Sequence, residues 1–459
     1  MEHRTQSIAV VGNGYVGTVV SACFAELGHH VIGLENDPTR LEALRSGQVP
    51  FYEPGLGERL QAGLSSGRLV FTDDVKEAMD HSDVVFLCVN TPSGPDGRAD
   101  MHAVEVALRS IAATIERHHI LVTKSTVPIG TAPWLATLVE DSLPEELLAE
   151  AAFSVVSNPE FLREGTAVND FLHPDRVVLG SDDPAALETV ASLYRPILDQ
   201  SFPEGDPGHR PSLVRTSLAT AETVKYASNA FLAAKISFIN EIANISEMVG
   251  ADVTEVALAM GLDPRIGSRF LEAGIGWGGS CFGKDLDALV ATAEEHGYEP
   301  SLLRAVVSVN RRQRGTIVEK IRRELKGLRG RRIGLLGLAF KSGTDDLRDS
   351  PAIDVAHRLI SEGAVVTAFD PMVKEVAGMP GLRIADDAFA VAVRAQALVV
   401  ATDWPDFLSL DLPALLASMR GDLFVDGRNL FDPLAVIEAG FRYEGVGRVA
   451  PALDHSLQS

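Results

Sequence analysis

The chain predicts an α/β protein in which two doubly wound, parallel-sheet units flank a helical region built on one long helix. Three observations carry that prediction. Short continuous apolar runs, the mark of strands buried on both faces, alternate with segments of helical spacing before residue 205 and again after residue 328. A glycine-rich turn follows the first of those runs at once. From Ala219 the character changes, with apolar residues at helical spacing for about 30 residues and neither Pro nor Gly.

In chain order, Ser7-Ile-Ala-Val-Val is a buried strand and runs into Gly12-Asn13-Gly14-Tyr15-Val16-Gly17. A helix-type segment through Leu27-Gly28 follows, then a second strand, Val31-Ile-Gly-Leu, ending at Glu35. This is G-x-G-x-x-G between a strand and a helix, the context the dinucleotide fingerprint requires. Gly12 would make the tight turn, Gly14 would admit a pyrophosphate, and Gly17 would let helix and strand pack closely. Amides of Tyr15 and Val16 at the helix start would face the phosphates. Glu35 would accept the ribose hydroxyls and repel a 2′-phosphate, which favours NAD over NADP.

Asp83-Val-Val-Phe-Leu-Cys-Val is the next strand, followed by Asn90-Thr91-Pro92 and a Gly/Pro/Asp loop through Asp100. His119-Ile-Leu-Val-Thr ends at Lys124-Ser125-Thr126-Val127-Pro128. Ligands of open α/β sheets sit beyond the carboxyl ends of strands, so Thr91 and Thr126 are candidates for polar contacts, or they satisfy a turn. Phe153-Ser-Val-Val-Ser leads into Asn158-Pro-Glu160-Phe161-Leu162-Arg-Glu164-Gly165. Glu160 and Glu164, four apart, would share a helix face, either for proton transfer or as a solvated helix start. Arg176-Val-Val-Leu-Gly180 is expected to close this sheet, and the Pro-rich stretch 203–211 to mark the first boundary.

On the long helix Val224, Ala227, Phe231, Ala234, Phe238, Ile242, Ile245 and Val249 form a stripe that could also serve a subunit interface. Lys225 and Asn229 are an i, i+4 pair, suited to an oxyanion or a sugar hydroxyl, or to a solvated face. Gly261-Leu-Asp263-Pro-Arg265-Ile-Gly267 is a basic turn suited to phosphate. Then comes Gly274-Ile-Gly276-Trp277-Gly278-Gly279-Ser280-Cys281-Phe-Gly283-Lys284-Asp285. Four glycines free the backbone for close approach or positive φ. They end at a lone cysteine beside a cation and a carboxylate, the set a thiolate nucleophile needs.

The third region repeats strand, loop, helix and strand, from Arg332-Ile-Gly-Leu-Leu-Gly337 to Val365–Phe369 and Asp370. Its loop, from Phe340-Lys341 to Arg348 and Pro351, lacks the dinucleotide glycines. Two cations on it suggest a second phosphate-bearing ligand. Strands at Ala397–Val400 and Leu423–Asp426 complete the unit, the latter running into Gly427-Arg428. The tail from Ala450 onward is expected to lack order. The expected division is therefore 1–205, 212–325 and 328–450.

Bulk properties narrow the function. At 459 residues the chain exceeds one ordinary domain, and 46% hydrophobic with 23% charged residues fits a globular protein. A net charge of −22 argues against nucleic acid or an anionic membrane as partner. No apolar run reaches the ~18 residues of a membrane helix, and no signal-peptide core is evident, so a cytoplasmic protein is expected. Three cysteines, Cys23, Cys88 and Cys281, make no disulfide framework, and no CxxC or His cluster suggests a metal.

Assembled, these stretches resemble the UDP-glucose/GDP-mannose 6-dehydrogenase family over essentially the whole chain. The matching runs are GNGYVG, NTP, KSTVPIGT, NPEFLREGTA, KYASNAFLAAKISFINE, GGSCFGKD and FKSGTDDLRDSP, in family order. The resemblance implies a Rossmann domain for NAD, a central helical region through which dimers or larger assemblies form, and a Rossmann-like domain for the nucleotide sugar. It also implies oxidation of a sugar C6 alcohol to a carboxylate in two hydride transfers, with Cys281 capturing the intermediate aldehyde. On the same resemblance Lys225 and Asn229 stabilise oxyanions, Asp285 and Thr126 position a water, and Glu160 acts as acid/base. Cofactor contacts would extend to Arg40, Thr91, Thr126, Glu164, Lys284 and Arg348. Substrate contacts would come from Glu160, Phe161, Leu162, Glu164, Lys225, Asn229, Gly278, Phe340, Lys341 and Arg428, with Arg265 donated across a subunit interface. GGSCF with its KD pair and NDFLHPDRVVLG looks more like the UDP-glucose branch than the GDP-mannose or UDP-N-acetylmannosamine branches. Gly283 stands where the family usually has proline, and Glu35 where aspartate is commoner. A single-step hydroxy-acid dehydrogenase would need neither Cys281 nor the third region, and a silent binding protein would not need Cys281, Lys225, Asn229 and Asp285.

Overall fold

The structure is a computed structural model that describes residues 5–94, 97–143 and 153–448; the tail from Ala450 lies outside them. Contacts along the chain divide it into two units, one of residues 1–228 with 287–297 and one of 229–286 with 298–459.

The first unit is built on an eight-stranded sheet. Its strands are β1 (Ser7–Val11), β2 (His30–Leu34), β3 (Leu69–Thr72), β4 (Val84–Leu87), β5 (His119–Thr123), β6 (Phe153–Ser157), β7 (Arg176–Gly180) and β8 (Ser212–Thr216), in the order β3-β2-β1-β4-β5-β6-β7-β8. Neighbours are parallel except β6 and β7, which meet antiparallel at Ser157 and Gly180. Strand order reverses between β1 and β4, so the carboxyl ends of these two strands flank the crevice where such sheets hold ligands. Both faces are covered. Ile8 and Val10 of β1 join one apolar cluster and Ala9 and Val11 the other, the two-residue alternation of a strand. The sheet does not close at Arg176–Gly180: β8, beyond the 203–211 loop, pairs with β7 over its full length.

The second unit holds six parallel strands, β9 (Arg332–Leu336), β10 (Val365–Phe369), β11 (Leu382–Ile384), β12 (Ala397–Val400), β13 (Leu423–Asp426) and β14 (Arg442–Glu444), in the order β11-β10-β9-β12-β13-β14. That is the doubly wound 3-2-1-4-5-6 order. Every residue of β12 and β13 is buried, which is why β12 appears in the sequence as an unbroken apolar run and β13 as one that ends at Asp426. Gly337 follows β9 with φ +94°, and a Cβ there would lie 2.3 Å from the Cβ of Thr402.

The long helix (Leu218–Val249) has 32 residues and passes from the first unit into the second. Its apolar stripe is not its buried face. Phe231, Phe238, Ile245 and Val249 are exposed, whereas Glu222, Lys225, Asn229, Ser237, Asn240 and Ser246 are buried. Ala221, Tyr226, Ala230, Ala233, Ile239 and Ala243 are buried as well, so the buried side mixes apolar packing with polar residues that supply hydrogen bonds to loops packed on it. A helix from Phe282 to Glu295 starts directly after Cys281, and another from Ser301 to Leu325 leads to β9.

Candidate active site

In the first unit the glycine loop is shaped by contacts that forbid side chains. Gly12 has φ +86°, and a Cβ on Gly17 would stand 1.9 Å from the Gly12 carbonyl oxygen. At Gly14 a Cβ would meet nothing nearer than Asn90 Oδ1 at 3.9 Å, so this glycine leaves an open approach. The loop thus fits a dinucleotide: two glycines close it and one opens it. Asn13, which sequence reasoning passed over, is fully buried and pins the turn, its Nδ2 donating to the Val10 and Leu34 carbonyls at 3.1 and 3.0 Å. Glu35 ends β2 and accepts from the amides of Asn13 at 3.0 Å and Asp37 at 2.9 Å, with Arg40 Nη1 3.4 Å away. Tyr15, at the start of its helix, donates its hydroxyl to Glu53, and Glu53 accepts from the Gly165 amide at 2.7 Å. Glu53 therefore ties the glycine loop to the 160s loop, a link between three distant segments with no local sequence signal.

Glu160 and Glu164 do not share a helix face. Residues 158–163 are extended loop and the helix begins only at Ala167. Pro159 disfavours the helical region for Asn158, and Asn158 is held by its Nδ2 to the Val178 carbonyl at 2.9 Å. Glu160 is buried, its Oε1 2.6 Å from Lys225 Nζ and its Oε2 accepting the Leu162 amide at 2.6 Å. Burial alone would raise this carboxyl, but Lys225, the Leu162 amide and Lys124 together outweigh it and hold Glu160 below the ordinary carboxylate range. Lys225 is therefore buried and paired, not solvated. Phe161 stacks under Arg176, whose guanidinium carbon lies 4.1 Å from the ring centre. Lys124 is buried beside Asn158 Oδ1 at 3.1 Å and Tyr194 Oη at 3.3 Å, and desolvation pulls its ammonium down to about 8. Thr91 donates its hydroxyl to the Thr126 carbonyl at 2.8 Å, which locks together the two strand-end loops. Leu162 and Glu164 are half-buried in the loop after Glu160.

In the second unit the cysteine loop is held by side chains from two helices. From the long helix, Asn240 Oδ1 accepts the Gly274 amide at 2.8 Å and Ser237 Oγ accepts Trp277 Nε1 at 3.0 Å. From the 301–325 helix, Asn310 exchanges both hydrogen bonds with Trp277's backbone, at 2.9 and 3.0 Å, and Gln313 donates to the Gly274 carbonyl at 2.9 Å. The four glycines face protein. A Cβ would lie 2.9 Å from the Gly427 carbonyl at Gly274, 2.5 Å from Asn310 at Gly276, 2.2 Å from the Asp349 carbonyl at Gly278 and 2.7 Å from the Phe340 ring at Gly279. Glycine recurs here because the loop is wedged against the β9 and β13 loops.

Cys281 is partly buried, its Sγ 3.6 Å from Ser280 Oγ, and its carbonyl accepts the Asp285 amide at 2.9 Å. Asp285 is buried between Asn229 Nδ2 and Lys284 Nζ, each 2.6 Å from one of its oxygens. Arg428 points three donors at backbone carbonyls, to Ala401 at 2.9 Å, Gly276 at 3.2 Å and Phe340 at 3.0 Å, and burial lowers its guanidinium from the usual range. Lys341 Nζ lies 5.9 Å from the Phe340 ring centre. Arg348 pairs with Asp346 and is exposed, while its carbonyl accepts the Gly279 amide at 3.1 Å. Arg265 is exposed and pairs with its neighbour Asp263. Thus Glu160, Phe161 and Lys225 converge in the first unit, and Cys281, Asp285, Asn229, Lys284, Gly278, Phe340 and Arg428 in the second. Arg265 stands apart from both sets.

Comparison with known proteins agrees with this arrangement. The chain matches the UDP-glucose/GDP-mannose dehydrogenase family in its NAD binding domain over residues 6–198, its central domain over 219–312 and its UDP binding domain over 334–433. It belongs to that family. A UDP-glucose 6-dehydrogenase of Rhizobium meliloti is 46% identical, covering 96% of this chain and 99% of its own. UDP-glucose 6-dehydrogenase TuaD of Bacillus subtilis is 40% identical over 97% of this chain and 94% of its own. Among solved structures, a UDP-glucose dehydrogenase from Pyrobaculum islandicum superimposes with TM-score 0.88 at 40% identity, covering 97% of this chain and 99% of that one. Among the described residues no helix is long and apolar enough to cross a membrane, and no cluster of His, Cys, Asp and Glu could hold a metal.

Proposed function

We propose that this protein oxidises UDP-glucose at C6 to UDP-glucuronate, consuming two NAD per sugar. The observation that carries the reading is the Cys281 loop, held between polar side chains of two helices and wedged on the β9–β13 loops of a UDP-binding domain, with Asp285 and Asn229 paired beside it. NAD, when bound at the glycine loop, supplies the hydride acceptor.

In the first oxidation the C6 hydroxyl loses a proton and its carbon a hydride, giving an aldehyde. Asp285 and Thr126 hold the water that takes the proton, and Lys225 and Asn229 stabilise negative charge on the C6 oxygen. The Cys281 thiolate then adds to the aldehyde carbon, so the C–S bond forms and the oxygen gains charge. Loss of a second hydride from that carbon leaves a thioester on Cys281, which keeps the reactive aldehyde from escaping. Water adds to the thioester, Glu160 manages the proton, and the C–S bond breaks to free the carboxylate. The buried Glu160–Lys225 pair supports this division of roles, because it sets an acid/base group and a hydrogen-bond donor for the forming oxyanion side by side.

Around this chemistry, Gly12, Gly14, Tyr15, Val16, Gly17, Glu35, Arg40, Thr91, Glu164, Lys284 and Arg348 would contact NAD. Phe161, Leu162, Gly278, Phe340, Lys341 and Arg428 would seat the sugar nucleotide. We assign 1–205 to the dinucleotide, 212–325 to the cysteine loop and 328–450 to the UDP-sugar. The exposed stripe of Phe231, Phe238 and Ile245 supports a homodimer or larger assembly through the central helices, with Arg265 reaching a partner's site. The cytoplasm is the proposed compartment, since Cys281 must stay reduced to act.

The test is NADH released per sugar consumed by the purified protein with UDP-glucose, beside GDP-mannose and UDP-N-acetylmannosamine. Two NADH per UDP-glucose are expected. Turnover only with another sugar would move the branch, and one NADH or none would overturn the reading. Cys281→Ser should still bind NAD and UDP-glucose by calorimetry yet lose four-electron turnover, because an alkoxide is hard to form at neutral pH.

A further inference from the structure

One buried acid has no part in the chemistry above. Glu222 lies on the long helix, 3% exposed, three residues before Lys225 and so on the same helix face. Its Oε2 accepts the Gly130 amide at 2.6 Å, and the amides of Thr131 and Ala132 also favour its charge. Its Oε1 has no hydrogen-bond partner among the described residues. Leaving a buried carboxylate oxygen unpaired costs about 1–3 kcal/mol or more, which the grip on the three amides must offset. Burial pushes the carboxyl up to about 7 against the pull of the three amides.

What Glu222 grips is the far end of the segment that carries Thr126. At its near end, where β5 stops, Ser125 Oγ donates to the Val89 carbonyl at 2.7 Å. In its middle, Thr91 donates to the Thr126 carbonyl at 2.8 Å. At its far end Gly130 turns with φ +87° into the helix Thr131–Glu140, and there the Glu222 carboxylate takes its amide. The first two ties reference Thr126 to the sheet. The third references it to the helix that bears Lys225.

We propose that Glu222 is a positioning residue that fixes the Thr126–Gly130 segment relative to Lys225, so that Thr126 can hold its water in register with the lysine. The inference rests on the roles given to Thr126 and Lys225 above. A displacement of about 1 Å in such a group can cost about a hundredfold in rate while leaving binding intact. Glu222 acts through Thr126 and touches no reacting atom.

The experiment is a double-mutant cycle on the full chain with UDP-glucose and NAD. Glu222→Ala should lower kcat about tenfold or more, with both KM values within about twofold. Glu222→Gln, which keeps the shape and one acceptor oxygen, should recover most of that loss. In a Thr126→Ala background the further loss from either Glu222 variant should disappear, because the group it positions is gone. Should the alanine variant fail to fold, Glu222→Met, which fills the same space without an acceptor oxygen, takes its place in the cycle, and thermal unfolding midpoints establish that each protein tested is native. Additive losses, a raised KM with unchanged kcat, or wild-type kcat in both Glu222 variants would overturn the proposal. Wild-type kcat in Thr126→Ala alone would instead overturn the role of Thr126, a separate outcome.

Discussion

At the scale of single residues, the Glu160–Lys225 pair sets a pH dependence whose direction depends on the lysine. With Lys225 in place, Glu160 titrates below its ordinary 4.5, so the pair's stabilisation is complete above that value and is lost as pH falls through the lower folded value. Lys225→Met removes the ammonium and leaves a buried carboxyl with no cation on Oε1. Burial then raises the Glu160 pKa, and stability is lost as pH rises through it. Removing one partner of a buried pair costs about 3–5 kcal/mol near neutrality. Melting temperature between about pH 3.5 and 7.5 should therefore fall toward acid in the native protein and toward neutrality in the variant. Parallel curves would mean the pair is not what perturbs Glu160. Cys281, Lys284 and Asp285 stood out in the sequence by type and spacing, whereas Lys225 and Asn229 gained a role only through the family resemblance. Glu222, Glu53 and Asn13 did neither, because what each does is settled by a partner far along the chain: 92 residues separate Gly130 from Glu222.

At the scale of elements, strands buried on both faces were easy to read and turns were not. β4, β5, β12 and β13 are wholly buried, and an unbroken apolar run has no other comfortable place in a doubly wound sheet. The 158–163 stretch has helical spacing of its acids yet stays extended, since Pro159 and the Glu160–Leu162 contact favour a loop. β8 escaped notice because only two of its five residues, Leu213 and Val214, are apolar, and none is fully buried. The helix after Cys281 allows a sharp prediction. Gly283 is its second residue, where a backbone N–H has no partner within the helix, and a Cβ there would meet only Asp349 Oδ2 at 3.6 Å and Trp277 at 3.9 Å. Proline suits such a position in both φ and the missing donor. Gly283→Pro should stabilise by about 0.4–1 kcal/mol, chiefly by restricting the unfolded chain, with turnover kept. A lower melting temperature would show that the first turn of this helix must move.

At the scale of the whole molecule, the long helix leaves an aromatic stripe in solvent, while its buried side mixes alanines, Tyr226 and Ile239 with polar residues that reach the loops packed on it. Phe231, Phe238 and Ile245 recur every seven residues, so they line one stripe along about 20 Å of helix. Met248, Val249, Leu258 and Leu262 extend the exposed apolar surface, Leu262 being 77% exposed. Exposed apolar surface of this kind marks interaction sites, and the proposed assembly through the central helices would cover it with a second copy. Arg265, three residues beyond Leu262, is 87% exposed, pairs with half-buried Asp263 in its own chain and is placed to reach outward. Phe231→Glu would put a carboxylate into the apolar surface that the proposed assembly buries. It should therefore halve the mass seen by light scattering and, with Arg265 no longer delivered, raise KM for UDP-glucose at least fivefold, about 1 kcal/mol of lost binding. Arg265→Ala should reproduce the KM effect while the assembly stays intact, and combining the two should add nothing further. An assembly that survives Phe231→Glu would place the interface elsewhere. A monomer with unchanged KM would show that each chain completes its own substrate site.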